Sequence, residues 1–546
     1  MHKQIRWLLI LMLCISNIDL ANTLMPNLFY KKFDFDDKIF AVIEDKYDFK
    51  DEIKIIDREF YVPINLIKTY IDPYIFCDRK ENKIIITDDN RVIKLKLNDF
   101  GYKLNENKVR DFDVNMKKDG YKFYLPSKFL SEIYDLNISY EKKYNLLKID
   151  FKRQDYIKGE IKKNCSMRYE ADRKSFKAQK ILKGESVRVY GNKNKYLKIR
   201  LGNGLVGYVK KKYVINQKKI IGKKNLSVKK ENKEKIRMVW DSIYNKTANY
   251  YALQKDFNDK INLVSPTWFF FDKKGSNGKL VNFVDMNYVK KAHENRIRVC
   301  PTLSDELDYD LNHKVIADSN NREFVIQEII NFIDKYDLDG INIDFEGVKR
   351  KDIDFYIEFL RELKPLLKRR NVILIVDVFV PDAWSMYYNR TEIGKIADYV
   401  CVMAYDEYNA NSDTPGPVAS YDFVLNGVKN ILKEVSNEKI IIGLPFYNRI
   451  WHVKNNNKFK IENVSMQMGF DFFKKRNVEF KWLDDKKYFY CEYSAGDIIY
   501  KSWLENENSI EEKLKLIKKF DLAGIAGWRR GFEKKIIWDI IFNYIN

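Results

Sequence analysis

Histidine and cysteine are scarce in this 546-residue chain, at four and six copies, and the scarcity removes two ways of organising a protein. The histidines, His2, His293, His313 and His452, form no metal-ligand pair, so neither a metal site nor a cofactor is expected. Apart from Cys14, the cysteines (Cys77, Cys165, Cys300, Cys401 and Cys491) are an odd set without paired spacing, which argues against a disulfide framework. Cys300 and Cys401 fall in apolar runs and read as small buried hydrophobes. Long apolar stretches are missing near the N-terminus too. The run Trp7 to Ile15 has nine residues, where a membrane-spanning helix needs roughly 20. Behind His2, Lys3 and Arg6 it reads as a secretory signal within residues 1–22. Export is therefore expected, to an extracellular or wall-associated location. N-terminal anchoring stays open, because Ser16 and Ala21 make poor cleavage sites.

Basic residues are abundant but not massed. The formal charge is +21, yet Lys and Arg are scattered along the chain without the block expected of a nucleic-acid partner. Such a balance suits adhesion to polyanions such as bacterial wall polymers, and a Lys/Ile/Asn-rich composition accounts for it equally well. With 45% hydrophobic residues the chain can build real cores, and its length calls for several domains.

The stretch Asp339-Gly340-Ile341-Asn342-Ile343-Asp344-Phe345-Glu346 carries the most chemistry. In a β-strand, successive side chains point to opposite faces, so Ile341, Ile343 and Phe345 share one side while Asn342, Asp344 and Glu346 share the other. The pattern fits a parallel barrel strand whose apolar face meets outer helices and whose polar face opens into the barrel mouth. Two carboxylates two residues apart on one face push each other's ionisation apart, which keeps one protonated near neutrality. Asp339, just ahead, is expected to brace the strand.

From Lys235 onward, β-branched runs alternate with longer amphipathic stretches, as in repeated βα units. Eight strands are expected: Ile236 to Trp240, Ile261 to Phe271, Ile297 to Leu303, Gly340 to Phe345, Val372 to Val380, Tyr399 to Ala404, Lys439 to Leu444 and Gly524 to Trp528. Glu323 to Lys335, with Phe324, Ile326, Ile329, Ile330 and Ile333, reads as an outer helix. Trp451 to about Phe520 is too long for one loop and helix, and is read as an insertion after strand seven.

The front half is modular. Phe60-Tyr61-Val62-Pro63 recurs as Phe123-Tyr124-Leu125-Pro126, and each copy predicts an extended segment, a short helix, and a hairpin turning near Asn82 or Asn145. Residues 160–216 read as a small all-β barrel, carried by Leu182 to Val189, Tyr196 to Arg200 and Gly204 to Val209. A Lys-rich linker is expected over 217–234.

Asp-Gly-x-x-x-Asp-x-Glu at 339–346 resembles the signature of glycoside hydrolase family 18, the chitinases and N-acetylglucosaminidases, whose usual form has Asp at the place of Asn342. Val402 to Glu407 is similar to the family's Met-x-Tyr-Asp strand, Ile442 to Tyr447 to its seventh strand and Ala523 to Trp528 to its eighth, in the family's order. Asn342 to Glu346, Tyr405-Asp406-Glu407 and Gly416 to Ser420 resemble the bacterial cell-wall and spore-type N-acetylglucosaminidases. The front repeat, 27–153, resembles the copper amine oxidase N-terminal domain, without any His to hold copper, and 160–216 resembles a bacterial SH3-type domain.

The resemblance implies a multidomain chain ending in a (β/α)8 TIM barrel over 235–546, preceded by an α+β repeat domain and an SH3-like barrel. It implies that Glu346 is the general acid and that the substrate's own 2-acetamido oxygen is the nucleophile. Asp344 would orient that group and Tyr405 would hydrogen-bond it. Asn342 can hydrogen-bond Asp344 but cannot take its proton. Trp528 would floor the sugar site, Met403, Asp406 and Tyr447 would be neighbours, and Trp268 and Trp451 are candidates for outer subsites. The expected partner is a cell-wall glycan, with no stable protein partner. Chitin, or a non-catalytic carbohydrate-binding role, stands as the alternative.

Overall fold

The computed structural model describes residues 38–111, 114–222, 234–275, 277–454 and 457–545, with no side-chain detail at 457–459. The expected signal and most of the expected linker lie outside them. The chain divides into a front unit, Met1–Ile86 with Ile93–Lys230, and a back unit built on Glu231–Asn546.

In the front unit the sequence repeat becomes a structural one. Strands Glu59–Pro63 and Lys122–Pro126 pair antiparallel with Val62 opposite Leu125. Those two residues hold the same place in their copies, so each copy meets its counterpart across a local twofold. Each strand runs through a proline into a short helix, Ile64–Tyr70 or Ser127–Ile133; the missing proline N–H costs nothing at that position. The following hairpins turn at Asn82 and Asn145, both left-handed (φ 49° and 48°), a conformation Asn tolerates. The copies then diverge. Leu136–Glu141 and Leu146–Phe151 extend the seven-stranded sheet of the domain, whereas Phe76–Asp78 and Lys83–Asp88 start a separate five-stranded one.

The second all-β segment is a seven-stranded antiparallel sheet bounded by Tyr156–Ile161 and Val214–Ile220, which pair with each other. It therefore starts before residue 160 and takes the first residues of the expected linker. Nor is it a separate bead. Phe40 and Leu146 of the repeat domain share a buried cluster with Ile161, Val187, Ile199 and Val209. Beside that cluster, Arg200 donates to the Glu44 carbonyl at 2.7 Å and pairs with Asp150. Arg188 lies 3.2 Å from both Glu44 and Asp150 and stacks over Tyr156, while Tyr190 donates to Glu44 at 2.8 Å. Removing one partner from such a network leaves a buried charge uncompensated.

In the back unit, eleven strand segments fill eight barrel positions: strands two and three are each broken in two, and Leu280–Asn282 is appended antiparallel. The breaks follow Pro266, between Leu263–Pro266 and Phe269–Phe271, and precede Thr302 at Pro301, between Arg298–Val299 and Thr302–Ser304. Proline has no N–H for the ladder. The remaining strands are Ile236–Asp241, Gly340–Asp344, Ile373–Phe379, Tyr399–Met403, Ile440–Pro445 and Gly524–Trp528, and the first pairs in parallel with the eighth to close the barrel. Ile341, Ile343 and Phe345 pack outward with the helices, while Met238, Cys300, Ile375, Cys401, Ile441 and Ala526 fill the interior. Asp339 accepts from the Val299 N–H at 2.7 Å and contacts His293 at 2.9 Å, bracing strand four at its base.

The outer helix ahead of strand four runs Ser319–Tyr336, capped by the Asp318 carboxylate, and buries Val325, Ile326, Ile329, Ile330 and Ile333. Phe324, expected in that stripe, is 36% exposed; two residues from Ile326 it turns about 200° away. The insertion is shorter than expected. It is the antiparallel five-stranded sheet from Tyr447–Lys454 to Ile498–Leu504, with the helix Met466–Lys474, and the next helix, Glu507–Lys519, belongs to the barrel layer.

Arg200→Ala should cost the front unit about 3–5 kcal/mol, the usual consequence of stripping one partner from a buried pair. Residues 38–222 contain no tryptophan. The loss should therefore appear as an early far-UV circular dichroism transition in urea, with the Trp fluorescence midpoint unmoved.

Candidate active site

Strand four places Asn342, Asp344 and, just past its end, Glu346 on the barrel's inner side. Asn342 is fully buried in a polar layer unusual for a barrel interior: its amide donates to Asp377 at 2.9 Å and to Ser265 at 3.2 Å, and Ser265 pairs with Thr302 at 2.8 Å. Asp377, inward on strand five, also accepts from the Trp240 indole at 3.3 Å. No described residue hydrogen-bonds the side chain of Asp344 or the carboxyl of Glu346. Above them, Tyr405 and Trp528 pack against Trp240, at ring distances of 6.2 and 5.9 Å. Gly443 makes room: a Cβ there would lie 3.0 Å from Trp240 and 3.3 Å from Tyr405.

The loops are fixed by buried polar groups. Asp305, after strand three, accepts from the N–H groups of Glu346 (3.1 Å), Gly347 (2.8 Å) and Leu307 (3.2 Å) and from Asn312 (2.7 Å). Tyr388 donates to the Glu346 carbonyl at 2.8 Å. Together they set where the Glu346 side chain starts. Arg530 pairs with Asp241 and donates to the Ala252 carbonyl at 2.8 Å, holding the end of strand eight, and hence Trp528, to strand one. Glu407 accepts from the Ser420 N–H at 2.6 Å and so pins the segment Gly416 to Ser420 under the loop after strand six.

The structure brings Asn342, Asp344, Glu346, Tyr405 and Trp528 together, with Met403 half-buried at the end of strand six. Asp406 binds Tyr447 and, at 2.8 Å, Arg449, so the pair ties the strand-six loop to the insertion and borders the site. Two tryptophans do not fit the subsite role. Trp268 is fully buried, donates to Asn249 at 2.9 Å and packs edge-on against Tyr288. Trp451 is fully buried too, its indole donating to the Gly416 carbonyl at 2.9 Å. Both indole N–H groups are spent inside the protein. Asp377, Asp305 and Trp240 were not anticipated. The available signal was Asp377 itself, an acid inside the β-branched run Ile373 to Phe379 at inward parity.

Electrostatically the mouth is a desolvated acidic well. Burial, with Asp305 and Asp406 adding repulsion, pushes Glu346 up to about 7. Burial raises Asp377 against the hydrogen bonds of Asn342, Trp240 and Cys401, and pushes Asp305 up to about 6 against its backbone donors. Asp344 rises well above the carboxylate range through burial and then the charges of Glu346, Asp377 and Asp305. No cation figures among the groups acting on Asp344, Glu346 or Asp377. Such a well holds protons near neutrality, as acid catalysis needs.

A parallel eight-stranded barrel with an acid pair at the inner end of strand four defines a glycosidase class of site. Residues 204–533 match the glycosyl hydrolases family 18, and the chain belongs to that family. Residues 41–149 match the copper amine oxidase N-terminal domain. A Bacillus subtilis protein named as an uncharacterized glycosylase, YvbX, is 27% identical over 316 residues, spanning 54% of this chain and 88% of the relative. The cortical fragment-lytic enzyme of the same organism is 24% identical over 246 residues, 43% of this chain and 57% of that one. The crystal structure of the Bacillus megaterium spore cortex-lytic enzyme SleL superposes with a TM-score of 0.51 at 19% identity, over 57% of this chain and 74% of that one, a likeness of fold. The chain is thus a glycosidase.

Because Glu346 binds its proton more tightly folded than unfolded, stability falls as pH rises from its ordinary 4.5 through about 7. Glu346→Gln removes that penalty. At pH 8 it should stabilise the back unit by about 1–3 kcal/mol, and at pH 4 by almost nothing. Urea titrations followed by Trp fluorescence at the two pH values read the difference.

Proposed function

We propose that the protein is an exported glycosidase that cleaves β-linked N-acetylglucosamine in peptidoglycan or its fragments, with retention, by a substrate-assisted mechanism. The observation carrying this reading is the unequal placement of the two acids. Asp344 sits deeper, among Asp377 and Tyr405, and burial holds it strongly toward its neutral form. A carboxyl so held is a poor nucleophile; it suits hydrogen bonding to an acetamido group. Glu346, at the mouth and near neutrality in its titration, suits proton delivery to the glycosidic oxygen and then activation of water.

In that mechanism the acetamido oxygen attacks the anomeric carbon as Glu346 protonates the departing oxygen. Asp344 orients the acetamido group and offsets the positive charge of the cyclic intermediate, and Tyr405 donates to the acetamido oxygen. Trp528, half-buried against Trp240, offers an indole face to the pyranose. Support for a wall substrate comes from the relative named a cortical fragment-lytic enzyme. The charge of +21 suits an anionic wall.

Glu346→Gln should lower turnover by about 10²–10⁴-fold while leaving oligosaccharide binding in place; activity within threefold of wild type would overturn the assignment. The mechanism has its own check. Aryl glycosides should require the 2-acetamido group, and a thiazoline mimic of the cyclic intermediate should inhibit, less so in Asp344→Asn. Mass analysis of reducing ends from purified peptidoglycan and from chitooligosaccharides, digested side by side, decides the substrate.

A further inference from the structure

The polar layer beneath the acid pair contains a carboxyl that the mechanism above does not use. Asp377 is 4% exposed, and one of its oxygens takes two donors, the Asn342 amide at 2.9 Å and the Trp240 indole at 3.3 Å, with the Cys401 thiol a third hydrogen-bonding neighbour of the carboxyl. Its other oxygen, Oδ1, is buried without a donor, as are Oδ1 of Asp344 and Oδ1 of Asn342. Three acceptor oxygens thus lie in one buried layer. Asp344 and Asp377 also repel each other when both are charged. A proton on one of the two acids relieves the repulsion and supplies a donor for the orphaned oxygens.

We propose that Asp377 is the positioning residue that shares a proton with Asp344, held for that task by Asn342 and Trp240. The inference rests on the substrate-assisted reading. At rest the proton sits on Asp344, because the two hydrogen bonds to Oδ2 favour the ionised form of Asp377. When the acetamido oxygen bonds to the anomeric carbon and positive charge develops, the proton passes to Asp377 and Asp344 becomes the carboxylate facing that charge. The proton returns as the intermediate is hydrolysed, so the layer gains and loses none. Asn342 then marks no loss of function: the carboxyl absent from strand four is provided by strand five, with the amide as its hydrogen-bonding partner.

The titratable groups facing Asp377 are Asp344 and Glu346 from strand four and its end, Cys401 and Tyr405 from strand six and its end, and Tyr356 from the outer helix, none of them cationic. In Asp377→Asn, Asp344 loses a like-charged neighbour and a proton acceptor.

The test uses the full chain with 4-nitrophenyl N,N′-diacetylchitobioside as probe, and three variants: Asp377→Asn, Asn342→Asp, and the swap carrying both. Asp377→Asn should lower kcat by roughly tenfold or more with KM within about threefold, and move the basic limb of kcat to lower pH. Asn342→Asp adds a carboxyl to the well and should move that limb to higher pH. The swap should recover kcat to within about threefold of wild type, because the amide on strand five can still accept from Trp240 while donating to the carboxyl on strand four. Wild-type turnover and an unmoved pH profile in Asp377→Asn would overturn the proposal. So would an inactive swap, whether or not it folds, since the proposal makes the two positions interchangeable. Failure of the substrate-assisted reading shows separately, in the wild-type chain alone, as efficient cleavage of the matched glucoside lacking the acetamido groups.

Discussion

The constraint on which the site depends is desolvation of acids without a counter-ion. Four carboxyls, Asp305, Asp344, Glu346 and Asp377, are gathered at one end of a barrel in a chain of formal charge +21, and no Lys or Arg is among the groups that shift the inner three, Asp344, Glu346 and Asp377. A cation there would pin the acids in their charged form and remove the proton that glycosidic cleavage requires. Two basic residues near the mouth are committed to other acids, Arg449 to Asp406 and Arg530 to Asp241, and Arg529 stacks over Phe532. Neutral donors hold the well instead: the Asn342 amide, the Trp240 indole and the backbone N–H groups on Asp305.

That arrangement explains the architecture around it. A barrel strand can offer an inner row of acids only if its outer row pays in apolar contact, and Ile341, Ile343 and Phe345 do so against the helices. Glu346 lies beyond the last residue of strand four, where the ladder no longer fixes the backbone, and Asp305 and Tyr388 take over. Asp305 thereby couples the end of strand three to the acid on strand four.

Much of this was legible in the sequence because period-two parity and motif order are local. All eight strand positions, the turns at Asn82 and Asn145, the repeat and the brace at Asp339 follow from residues close in the chain. What parity cannot give is the direction of an isolated aromatic: Trp268 and Trp451 look like groove residues until their indoles are seen bound to Asn249 and Gly416. Asp377 was missed because a single acid in an apolar run carries no motif, and its partner Asn342 lies on another strand. The linker was read too early because Val214–Ile220 is a Lys-rich edge strand, and its pairing with Tyr156–Ile161 is a long-range property. The boundary between the front domains was drawn too sharply for a similar reason: Glu44 and Arg200 lie far apart in sequence.

The seam between those front domains bears on how such chains are assembled over evolutionary time. A domain exchanged as a loose bead must carry a surface that is tolerable when bare. Here the repeat domain alone would bare Glu44, Asp150 and the apolar Phe40 and Leu146, and the second β-sheet alone would bare Arg188 and Arg200. The two are complementary halves, so recombination can move them intact only as a single cassette.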